Sequence, residues 1–143
     1  MEKFFKLFLS SVTALALMIP VGAVYSEEID TCSRDENWIE CRAEQGDLLA
    51  IYKVARESYD KAYDQVKSTG LADFTVPLSY GRQLVDSKER NGKRLLKMVH
   101  LQLSWGNHVN RDQALQWLKE DYEQRKLDYL PVLINRLAPG QVN

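Results

Sequence analysis

Nine residues between Trp38 and Val66 constrain this chain more than anything else in it. Trp38, Cys41, Gln45, Leu48, Tyr52, Ala55, Tyr59, Ala62 and Val66 follow one another at alternating spacings of three and four. At 3.6 residues per turn all of them fall on one helical stripe, whereas the two-residue period of a strand would scatter them over both faces. The spacing predicts one long helix over residues 36–67. Leu49, Ile51 and Val54 widen the apolar face beyond a narrow seam, which suits a globular bundle better than a two-stranded coil. Away from the seam, Arg56–Asp60 and Glu57–Lys61 are i,i+4 ion pairs. Gly46 is the one poor helix former inside the run, and Ser68-Thr69-Gly70 supplies a glycine to end it.

The remaining chain reads the same way. Leu71 to Val76 is a connector, with Phe74 and Val76 expected to pin it to the core. Pro77 suits the first turn of a helix, where its missing N–H has no partner to lose. A helix is then expected over residues 77–105, with Leu78, Val85, Leu95, Leu96, Val99 and Leu103 inward. Its middle, Asp86 to Arg94, has no apolar side chain and contains the turn pair Asn91-Gly92. Possible Asp86–Arg90 and Glu89–Lys93 pairs favour one continuous helix over two short ones. Gly106-Asn107 is a stop, and Asn110 with Gln113 three residues on resembles a capping box. The next helix turns Ala114, Leu115, Leu118, Tyr122 and Tyr129 inward. Pro131 breaks it, and residues 132–137 add a final turn or two. No alternating run is long enough to demand a strand. The expected fold is all-α, a small antiparallel bundle of three to four helices.

The N-terminus reads as a secretory leader over residues 1–26. Lys3 and Lys6 precede a run from Leu7 to Ile19 interrupted only by Ser10, Ser11 and Thr13, and Pro20 and Gly22 follow it. Small residues allow a cut before Glu27 or before Val24. The run is shorter than the roughly 20 apolar residues a membrane span needs. The expected organisation is a leader over 1–26, an N-terminal segment over 27–35, a helical domain over 36–138 and a tail over 139–143. Export would place Cys32 and Cys41 in an oxidising compartment, where they are expected to form a disulfide. The eight residues between them are more than the two that separate a typical redox pair. Removing the leader leaves about 117 residues, enough for one hydrophobic core. The formal charge of −1 for the whole chain gives no electrostatic argument for nucleic acid.

Motifs for chemistry are sparse. There is no Gly-x-Ser-x-Gly, no phosphate loop and no His-Glu-x-x-His. His100 and His108 are the only histidines, and neither has an acid at metal-ligand spacing, so they are weak metal candidates read as surface or boundary residues. Glu120, Asp121 and Glu123 interleave with Lys119, Arg125 and Lys126 and read as a solvated face. Two departures from a bland surface remain. Arg82 to Lys97 carries Arg82, Lys88, Arg90, Lys93, Arg94 and Lys97 against Asp86 and Glu89. Tyrosine recurs as Tyr52, Tyr59 and Tyr63, and again as Tyr122 and Tyr129. Arg90, Lys93, Arg94 and Lys97, with Tyr59 and Tyr63, are therefore the candidate partner-binding residues.

The functional expectation is an exported, non-enzymatic periplasmic or secreted module that binds another protein, of inhibitor, immunity, chaperone or assembly-factor type. No catalytic residue and no cofactor is assigned. One alternative is a small-ligand or metal carrier using the bundle interior and His100 or His108. Another is a small hydrolase whose residues converge only in the fold.

Overall fold

A computed structural model describes Cys32 and residues 36–142; the expected leader over 1–26 lies outside the described residues. The described chain is all-helical and contains no strand. It forms six helices: α1 Trp38–Glu44, α2 Leu48–Thr69, α3 Thr75–Asp86, α4 Gly92–Ser104, α5 Arg111–Arg125 and α6 Leu130–Leu137. Six in place of the expected three to four comes from two breaks in runs that the spacing joined.

The first break is at Gly46. Its φ of +86° is left-handed, which a residue with a Cβ adopts only under strain. Gly46 N–H donates to Ala43 O and Asp47 N–H to Arg42 O, closing α1 with a Schellman motif. Asp47 then opens α2, its carboxylate accepting from the Leu49 and Ala50 N–H groups at 2.9 and 3.0 Å. These hydrogen bonds hold the Asp47 carboxyl below its ordinary range. The buried stripe of α2 accordingly runs through Ile51, Ala55, Tyr59 and Ala62, while Leu48 is exposed.

The second break divides residues 77–105. Here the left-handed residue is Lys88, with φ +58°, and Lys88 and Glu89 N–H groups donate to Val85 O and Leu84 O. The ion pairs that favoured continuity do not form. Glu89 accepts from the Asn91 N–H at 2.7 Å, and Asp86 pairs with Arg125. Gly92 is not the turn residue. A Cβ there would come within 2.8 Å of Leu84 Cβ and 2.9 Å of its carbonyl carbon, so Gly92 lets the start of α4 press against the end of α3.

Other local expectations agree with the structure in part: Phe74 is buried in the core, but Val76 is 52% exposed and does not pin the connector. Asn110 caps α5 by accepting from Gln113 N–H at 3.0 Å. Cys32 and Cys41 are joined by a disulfide with Cα atoms 5.7 Å apart. The tail is partly held, because the Asn135 side chain exchanges hydrogen bonds with Val142 N–H and carbonyl at 3.2 and 3.0 Å.

Helix α4 is central and packs against α2, α3, α5 and α6, whereas among the described helices α1 packs only against α2. Leu95, Leu96, Val99 and Leu103 of α4 meet Leu78 and Leu84 of α3, Leu118 of α5 and Leu130, Leu133 and Ile134 of α6 in one core. The connectors meet at one end, where Ala72 N–H donates to Asn107 O and Val109 N–H to Ala72 O.

Candidate functional site

Two faces of α4 hold the polar and aromatic residues of interest, and they differ in access. On the inner face, His100 is fully buried. One ring nitrogen, Nε2, lies 2.7 Å from Asp121 Oδ2, and the other, Nδ1, lies 3.0 Å from the Tyr129 hydroxyl. Asp121 is also fully buried, which corrects its reading as part of a solvated face. It occupies the inward stripe of α5 with Ala114 and Leu118, at spacings of four and three. Arg82 Nε reaches both its oxygens at 2.9 and 3.1 Å, and Arg125 Nη1 reaches Oδ1 at 2.6 Å. Arg125 in turn chelates Asp86 at 2.6 and 3.0 Å.

The protonation states follow from this geometry. Burial lowers the His100 pKa, outweighing the opposing pull of Asp121. His100 is therefore neutral near pH 7, with Nε2–H donating to Asp121 and Nδ1 accepting from Tyr129 O–H. Burial pushes Asp121 upward, but its bonds to His100 and Arg82 and their charge outweigh this and hold it below the usual carboxylate value. Burial, with Asp121 and Asp128 nearby, raises the Tyr129 hydroxyl well above its ordinary value, so it stays protonated. The cluster ties α3, α4, α5 and the start of α6 together. It cannot meet a substrate in this conformation, because His100 and Asp121 have no exposed surface.

His108 is likewise interior, not a boundary residue, at 2% exposure. Its Nδ1 accepts from the Phe74 N–H at 3.1 Å, so Nε2 carries the proton that Gln113 Oε1 accepts at 3.1 Å. Its ring packs on Trp117 at 4.8 Å. Both ring nitrogens of both histidines are thus engaged, and no group of three or more metal-ligating side chains is found among the described residues. His100 and His108 bond to different groups, Asp121 and Tyr129 for the one and Phe74 and Gln113 for the other.

The outer face of α4 is open. Between α2 and α4 lies a groove of about 380 Å³ lined by Arg56, Tyr59, Asp60, Tyr63, Met98, Leu101, Gln102 and Trp105. Tyr59 forms its floor. Its hydroxyl accepts from Gln102 Nε2 at 3.3 Å, and Gln102 Oε1 accepts from Asn107 Nδ2 at 2.8 Å. Burial raises the Tyr59 pKa. Tyr63 stacks parallel to it, with ring centroids 6.0 Å apart and planes within 7°. Tyr63 is 40% exposed and Trp105 55% exposed, and Leu71 and Val109 are exposed on the adjoining connectors.

The candidate residues fall as follows. Tyr59 and Tyr63 are in this groove. Lys93, Arg94 and Lys97 are exposed on α4 and Arg90 is exposed just before it. Arg82, counted in the same basic segment, turns inward to Asp121 and leaves that face. Met98, Leu101 and Trp105 are groove residues that the sequence reading did not select. Trp105 follows Arg94 and Leu101 at helical spacing, so the stripe was available to be found.

Comparison of the chain with protein-family models, with curated proteins and with solved structures finds no match.

Proposed function

We propose that the protein is an exported, non-enzymatic module that binds another protein through the α2–α4 groove, in the manner of an inhibitor, immunity protein, chaperone or assembly factor. The observation that carries this reading is the groove itself. Two stacked tyrosines, a methionine, a leucine and a half-exposed tryptophan line one concavity in a molecule whose titratable cluster is sealed. Tyrosine, tryptophan and methionine are the residues that protein interfaces enrich, because they bring large apolar area to a site that keeps some polar contact. Export is supported by the leader-like pattern of residues 1–26 and by the disulfide.

The test is retention of partners by the immobilised protein from an extract of its native compartment. A Tyr63→Ala/Trp105→Ala variant, checked for helical content by circular dichroism, serves as the comparison. Species held by the wild type and lost on the variant are expected. Equal retention by both would remove the groove from the function. Intact mass of the native protein should show loss of the first 23 to 26 residues, and an uncleaved chain would remove the export claim.

A further inference from the structure

We infer that the groove takes an acidic amphipathic helix of a partner protein, its apolar residues in the aromatic end and its carboxylates over the cationic end. This rests on the protein-binding reading and specifies the chemistry of the partner. The two candidate features of the sequence, a basic segment and a tyrosine edge, are two ends of one surface. Arg94, Lys97 and Met98, and Leu101 on α4, with Trp105 at its C-cap, succeed one another three or four residues apart, which places them on one stripe. Over those 11 steps the stripe is about 16 Å long, three turns of a helix laid alongside.

Three of the four cations have no ionic partner within the fold. Arg90, Lys93 and Arg94 have no carboxylate at ion-pair distance among the described residues, while Lys97 lies over the Tyr129 ring at 5.1 Å, a contact that leaves its charge unneutralised. Lys93 and Arg94 occupy the first turn of α4, which holds no acidic residue. That is the end where the helix dipole disfavours positive charge. A set of cations that weakens its own helix and neutralises nothing is complementary to negative charge from outside.

The shape selects a helix. The site is a groove between two helices, which an apolar helical ridge fills. Strand addition has nothing to extend, because the described residues contain one isolated bridge and no sheet edge. The groove also favours a peptide over an anionic bilayer. Its α2 wall carries Asp60, with Asp64 one turn on, paired to Arg56 and Lys67 at 3.3 and 2.5 Å. A flat anionic surface would meet those carboxylates together with the α4 cations, whereas a helix can confine its acids to the α4 side.

The experiment is selection of random 20-residue peptides displayed against the purified, oxidised protein. Enriched sequences are expected to be net acidic, with apolar residues at i, i+3 or i+4 and i+7, and helical when bound. Their affinity should fall at least about tenfold in Arg94→Glu/Lys97→Glu and in Trp105→Ala, and weaken as salt is raised. Three results would overturn the proposal: enriched peptides without net negative charge, acidic peptides indifferent to the charge reversals, or no enrichment. Sedimentation with phosphatidylglycerol vesicles is the second arm. Tight vesicle binding lost in the charge-reversed variant, without peptide enrichment, would replace the helix by a lipid surface. Partners that depend on Trp105 but not on Arg94 and Lys97 would leave the protein-binding reading standing and remove only the acidic helix.

Discussion

The two faces of α4 use similar side chains to opposite ends. Inward, His100 joins Asp121, Arg82, Arg125 and Tyr129 in a cluster where hydrogen bonds partner both histidine nitrogens and both Asp121 oxygens. Outward, Arg94 and Lys97 are exposed on the helix that carries Met98 and Leu101 of the groove, and among the described residues they pair with no acid. Charge alone therefore does not separate the residues that the fold uses from those that it leaves in solvent. What separates them is whether the fold supplies a partner. A buried charge without one costs several kcal/mol, so the inner set had to be matched within the chain. The outer set remains hydrated and is free to be matched by something else.

The contrast can be broken most directly at Asp121. Asp121→Ala removes the buried acceptor shared by His100, Arg82 and Arg125, leaving the arginines only their more exposed partners Glu120 and Asp86, and should destabilise the fold by about 3 kcal/mol. Urea denaturation is the appropriate measurement, since it adds no ions. A loss below about 1 kcal/mol would make the cluster no more than a surface ion pair.

Acid should act on the same cluster through two groups. The folded His100 pKa is below its ordinary 6.5, so the unfolded chain takes up that proton first. The stabilisation is complete above pH 6.5 and declines as the pH falls below it. Asp121, held below its ordinary 3.8, adds stability above that value that is lost as the pH falls through its folded pKa. Stability measured from pH 7.5 downward should therefore decline from about pH 6.5. His100→Gln, which can still donate to Asp121, should flatten the curve between pH 6.5 and 4. An unchanged curve would mean that His100 is not the group responsible.

The smallest effect belongs to the outer face. Arg94→Glu/Lys97→Glu should change stability by less than about 1 kcal/mol, since exposed pairs contribute no more than that. A larger loss would show that these cations serve the fold, and the comparison between the two faces would fail.

Most helices were legible in the sequence because their buried stripes repeat at three and four. The breaks were less so, for different reasons. Gly46-Asp47 carried its own cue, a left-handed glycine followed by a capping aspartate, but the seam running across it hid the stop. Lys88 carried none, since lysine does not favour positive φ and the turn signal lay three residues later at Asn91-Gly92. The inner cluster was obscured by composition. Asp121 stands in a run of charged residues, and its partner Arg82 is 39 residues away. Its one local sign was its place on the stripe of Ala114 and Leu118. The outer groove was half legible, as tyrosines on one helix, and only packing shows that Met98, Leu101 and Trp105 adjoin them.

The unequal contacts of α4 and α1 imply a hierarchy in time. Backbone amides exchange with solvent only when their hydrogen bonds open, and the opening free energy differs from one cooperative unit to the next. With four neighbouring helices, α4 opens only when the whole domain does, so its amides should be the slowest to exchange deuterium. With α2 as its one neighbouring helix among the described residues, α1 can detach and return many times within the lifetime of the rest, carrying the loop closed by the Cys32–Cys41 bond with it.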